Sequence, residues 1–142
     1  MKASELMIND LVRTDKDEII KVESISTKRQ HRKVGYHRPS DITHIKYVRQ
    51  GQLEPIPLTA IMLANNGMRE DKWDEGDIMR CGGIAYREFH ANEKFFYVRG
   101  HGENPVEWKV YNNGQVTVKY VHELQHALRL CGLIDLADNF KI

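Results

Sequence analysis

The sequence predicts an α+β protein built mostly from antiparallel strands. Three observations lead there. Short stretches of alternating apolar and polar residues recur along the chain, as in Ile20-Lys21-Val22-Glu23-Ser24-Ile25. Turn residues separate such stretches at hairpin spacing, most clearly at Asn112-Asn113-Gly114. A helix-period stretch over 121–131 follows the last of these hairpins.

Taken in order, residues 11–14 and 19–25 read as two strands across the polar turn Asp15-Lys16-Asp17-Glu18. Strands are expected at 33–36 and 42–48, separated by Arg38-Pro39-Ser40-Asp41, and a short extended piece at 53–56. Strand count and spacing make residues 1–57 a small, bent, SH3-like β unit. Pro55-Ile56-Pro57 fits neither a central strand nor a helix interior, so it is the expected hinge. Residues 58–142 are expected to form an α+β unit, whether or not the two share a core. Thr59 caps a helix over 60–66 that Gly67 ends in the left-handed conformation. Residues 71–76 read as a polar loop. Strands follow at 84–90 and 94–99 across Ala91-Asn92-Glu93, then at 106–111 and 115–119. The helix over 121–131 is closed by Gly132, and a last helical turn spans 134–139.

The chain has 142 residues, which bounds it to one domain or two small modules. With 41% hydrophobic and 29% charged residues, a disordered chain, a collagen-like fibre and a coiled coil are excluded. No apolar run approaches the ~18 residues needed to cross a bilayer, so no membrane partner is expected. Residues 1–10 lack the apolar stretch of a secretory signal. Cys81 and Cys131 make no disulfide framework, so a reducing cytoplasm is the expected location.

Net charge is +1, but its distribution is uneven. Residues 28–49 hold Lys28, Arg29, Arg32, Lys33, Arg38, Lys46 and Arg49 against the single acid Asp41, or +6. The remainder of the chain is −5. Together with Tyr36 and Tyr47, this basic hairpin is the expected contact surface for nucleic acid or an acidic protein: cations take phosphates and aromatic rings take bases.

His122-Glu123-Leu124-Gln125-His126 matches the H-E-x-x-H pattern of zinc peptidases. Two histidines four residues apart share a helix face and reach one Zn²⁺, and the Glu acts as base on bound water. Against this, Arg129 stands where the extended pattern needs Gly, and no Glu follows Glu123. Helical projection also puts Leu124, Ala127, Leu128 and Cys131 on the inward stripe and the two histidines on the opposite, solvated one. The expectation is no catalytic residue and no metal; the alternative is zinc on His122 and His126 with Glu123 as base.

Other clusters carry less. The spacing of His31, His37 and His44 matches no standard metal site. Cys81-Gly82-Gly83 offers a thiol on a turn without a named base. Asp71, Asp74, Glu75 and Asp77 miss the calcium-loop spacing.

Met1-Lys2-Ala3-Ser4-Glu5-Leu6 with Ile8-Asn9-Asp10-Leu11-Val12, Pro55-Ile56-Pro57-Leu58-Thr59 and the tail Tyr120-Val121-His122-Glu123-Leu124-Gln125-His126-Ala127-Leu128 resemble a group of short uncharacterised proteins of Bacteroides-type bacteria, often found near prophage or mobile-element genes. The resemblance implies a small cytoplasmic accessory protein of a phage-like element, and brings no activity or site residue with it. Function is therefore expected to be that of a non-enzymatic binding or adaptor module, with a zinc-dependent hydrolase as the alternative.

Overall fold

Residues 1–26, 32–91 and 95–142 are described by a computed structural model of the chain. They fall into two units, Met1–Ile56 and Pro57–Ile142. Lys28, Arg29 and His31, and most of the expected 91–93 turn, lie outside the described residues.

The first unit holds β1 (Leu11–Thr14), β2 (Ile19–Lys21), β3 (Ser24–Ile25), β4 (Lys33–Arg38), β5 (Asp41–Arg49) and β6 (Leu53–Glu54). They pair antiparallel as two three-stranded sheets, β2-β1-β6 and β3-β4-β5. Two three-stranded sheets do not establish the SH3-like arrangement expected from strand count. Thr14 shapes the first turn: its Oγ1 accepts the N–H groups of Lys16 and Glu18. The expected single strand over 19–25 is two strands, because the chain changes sheets at one peptide. Val22 N–H donates to Asp10, beside β1, whereas the next N–H, of Glu23, donates to Gly35 in β4. Val12, Ile20, Val22, Val34, Tyr36 and Leu53 form the core of the unit.

The second unit runs α1 (Ala60–Asn65), β7 (Arg69–Asp71), α2 (Glu75–Arg80), β8 (Tyr86–His90), β9 (Tyr97–His101), β10 (Trp108–Tyr111), β11 (Gln115–Val118), α3 (Val121–Leu130) and α4 (Ile134–Asp138). The strands form one antiparallel sheet in the order β11-β10-β9-β8-β7. The α+β class and antiparallel pairing expected from the sequence are observed. So are the Thr59 cap, which accepts the Met62 N–H, and the left-handed Gly67 that ends α1. At the 112–114 turn the left-handed residue is Asn113.

A further departure from expectation lies in the second unit. The 71–76 segment is not a plain loop: it joins β7 to α2. Asp74 and Asp77 form a reciprocal capping box that starts α2, each carboxylate accepting the other residue's N–H. This gives the acidic run its local role. The neighbouring β7 reads Arg69-Glu70-Asp71, and charged residues are what exposed sheet edges carry.

Cross-strand pairing sorts the five-stranded sheet into two faces. One carries Phe89, Val98 and Val110 in a row beside Gly100, Trp108 and Val118, all buried. Leu63, Leu124 and Leu128 complete this core, and Phe89 meets Trp108 edge to face at 5.9 Å. Gly100 is required there, since a Cβ would lie 2.4 Å from Pro105 and 2.8 Å from Trp108. The second face is polar.

Candidate functional site

The polar face is set by register. Pairing places Asp71, Glu88, Arg99 and Lys109 in one row, and Arg69, His90, Tyr97 and Tyr111 in the next. Glu88 and His90, two apart on β8, point the same way. His90 Nε2 lies 2.7 Å from Glu88 Oε1 and 3.0 Å from Asp71 Oδ2. The opposite oxygen of Glu88 accepts from Arg99 at 2.9 Å and from Trp73 Nε1 at 3.3 Å. Arg69 lies 3.2 Å from the other oxygen of Asp71. Glu88 is only 9% exposed, so these partners compensate a carboxylate withdrawn from water.

Aromatic rings hold this cluster in place. His90 stacks on Tyr97 at 5.2 Å, and Tyr97 stacks on Tyr111 at 4.7 Å. The Arg99 guanidinium lies 4.8 Å from the Trp73 ring and within 5.8 Å of Tyr86, Tyr97 and Tyr111. An open, polar pocket of about 400 Å³ adjoins it, lined by Lys72, Trp73, Asp77, Arg80, Cys81 and Glu88 among others. Cys81 is half-buried there as the residue that ends α2. Asp71, Glu88 and His90 are the one His, Cys, Asp or Glu set of three with metal-ligand proximity among the described residues. Sequence reading missed the cluster, because its members become neighbours only through strand register.

The basic hairpin is β4 and β5. Its two tyrosines point to opposite faces. Tyr36 is 6% exposed and belongs to the core; the aromatic that reaches solvent is Tyr47, 60% exposed. Tyr47 pairs with Gly35, and its ring carbon Cε1 comes within 3.1 Å of where a Gly35 Cβ would stand. Lys33 pairs with Arg49 two residues along, on the same face as Tyr47. The other cations are spread. Arg32 lines a shallow pocket with Ala3, Ser4, Ile25 and Ser26. Lys46 pairs with Tyr36 on the inward side. Arg38 donates to both oxygens of Glu18 at 3.0 and 3.3 Å, and this bond holds its pKa above the ordinary arginine value. His37 pairs with Glu23, and His44 lies 3.2 Å from Asp41.

The tail motif lies on α3 as the pattern requires, but its parts are otherwise engaged. Glu123 Oε2 accepts the backbone N–H groups of Lys119 at 2.7 Å and Tyr120 at 3.1 Å, the task of a helix-capping carboxylate. His122 is 5% exposed, not on a solvated face, with its ring stacked on Tyr120 at 6.0 Å. The His122 and His126 rings meet edge to face at 5.8 Å, and no third ligand joins them among the described residues. Leu124, Ala127 and Leu128 are buried as the stripe predicts, whereas Cys131 is only half-buried. Gln125 is buried as well, because its Nε2 donates to Ala137 O in α4 at 2.8 Å.

No helix among the described residues is long and apolar enough to cross a membrane. No known protein family, curated protein or solved structure matches the chain.

Proposed function

We propose that this chain is a small non-enzymatic binding module that contacts single-stranded nucleic acid through the β4–β5 hairpin. The observation that carries the reading is Tyr47. Its ring is exposed, with one edge reaching Gly35 and the Lys33–Arg49 pair on the same face. An exposed aromatic ring offers a stacking surface for a base, and two cations on the same face can take phosphates. Stacking favours nucleic acid over an acidic protein, which would need only the charges. Lys28, Arg29 and Arg32 precede β4 in sequence and add to the positive charge of this segment. The resemblance to mobile-element proteins fits an accessory role in the cytoplasm.

Fluorescence anisotropy with a labelled single-stranded oligonucleotide tests this. Affinity is expected to fall with salt at about 0.7 log units per phosphate contacted. Tyr47→Ala is expected to cost about 1–3 kcal/mol of binding. Lys33→Glu with Arg49→Glu is expected to reduce the salt slope. Oligonucleotide binding lost in the charge variant but unchanged in Tyr47→Ala overturns the stacking role and leaves phosphate contacts alone, and no binding at low salt sinks the reading.

A further inference from the structure

We propose that Asp71, Glu88 and His90 form a binding site for a first-row transition dication, zinc in particular. The proposal is independent of the hairpin reading. It starts from the convergence of three atoms. His90 Nε2, Glu88 Oε1 and Asp71 Oδ2 lie within 4.8 Å of one another, and the imidazole nitrogen faces both oxygens, at 2.7 and 3.0 Å. One N–H directs one good hydrogen bond, so a single proton serves two acceptors poorly. A dication serves all three donor atoms at once. With metal–ligand bonds of about 2.1 Å, neighbouring ligand atoms stand roughly 3.0–3.4 Å apart, so the two nitrogen–oxygen distances open by a few tenths of an ångström to admit the ion.

The support around these atoms resembles that of built metal sites, in which outer partners orient the ligands. Each carboxylate has its second oxygen held from outside. Arg99 and Trp73 hold Glu88 Oε2, and Arg69 holds Asp71 Oδ1. The inner oxygens are thereby aimed at His90. The imidazole is oriented by its stack on Tyr97, which rests on Tyr111. Asp71 and Glu88 come from paired strands, which makes their separation a property of the sheet rather than of a loop.

One nitrogen and two carboxylate oxygens suit zinc or manganese, and three protein ligands leave coordination positions for water. Arg69 and Arg99 offset the charge of the two carboxylates. The affinity expected is therefore modest, on the order of micromolar rather than nanomolar.

Isothermal titration of the full chain with zinc chloride tests the site. One zinc per chain is expected. His90→Ala and Asp71→Asn are each expected to weaken it at least tenfold, and His122→Ala/His126→Ala to leave it unchanged. Side-chain ¹⁵N spectra of the unaltered protein supply a readout that needs no variant: zinc is expected to shift the His90 imidazole nitrogens. Absence of binding up to millimolar zinc overturns the proposal. So does binding that survives His90→Ala, binding lost in the His122→Ala/His126→Ala protein, or a His90 signal that zinc leaves in place.

Discussion

The side-chain amide of Asn66 hydrogen-bonds both backbone groups of Lys141, donating to its carbonyl at 2.7 Å and accepting from its N–H at 2.7 Å. The residues are 75 apart in sequence, and the carboxamide pairs with the chain as a strand would. The same Nδ2 also donates to Met62 O at 2.8 Å, tying the end of α1 to the C-terminal segment. Asn66→Ala leaves these backbone groups to water. It is expected to cost about 1–2 kcal/mol, read in urea denaturation. Asn66→Asp sets a carboxylate oxygen against two carbonyl oxygens at a helix C-terminus, and is expected to be at least as destabilising as Asn66→Ala. A variant as stable as the native chain would refute the clasp.

Arg99 is expected to be irreplaceable by lysine. Its guanidinium hydrogen-bonds Glu88 and packs among four aromatic rings, and an ammonium reproduces only the charge. Arg99→Met is expected to destabilise the chain by about 2 kcal/mol, since it leaves the Glu88 carboxylate short of its main partner. Arg99→Lys is expected to recover less than half of that. Thermal unfolding of the three proteins decides; a lysine variant that melts with the native chain would show that the flat, stacked geometry is dispensable.

Acid sensitivity follows from Glu70. Arg87 donates to both of its oxygens, at 2.7 and 2.8 Å, and that hydrogen bonding lowers the Glu70 pKa from its ordinary 4.5. A depressed folded-state pKa stabilises the protein above the unfolded value, and this contribution is lost as pH falls through the folded value. Glu70→Gln is therefore expected to be less stable than the native chain at neutral pH. The gap is expected to close as pH falls from about 4.5 through the lowered value. Parallel pH–stability curves for the two proteins would contradict the pairing.

Much of the architecture was legible because it is written in neighbouring residues. Thr59 and Gly67 bracket α1 by their own chemistry. Asn113 and Gly114 turn the chain between β10 and β11 whatever else surrounds them. The apolar spacing of Leu124, Ala127 and Leu128 names the buried face of α3. The run Asp74 to Asp77 was harder, because the same carboxylates that suit a loop also cap a helix. Only the reciprocal hydrogen bonds distinguish the two.

By itself, then, the sequence determined the α+β class, the turn and cap positions and the existence of a basic hairpin, since these depend on contacts a few residues long. Tertiary structure decided which side of each strand meets solvent. Tyr36 and Tyr47 are chemically alike and lie in adjacent strands, yet the core takes one and water the other. It also decided that Asp71, Glu88, His90 and Arg99 meet. Their proximity depends on the registers of β7 with β8 and of β8 with β9, and register is fixed by the burial of Phe89 and Val98 on the opposite face. The polar cluster is thus positioned by the apolar one beneath it, through pairings that no local motif records.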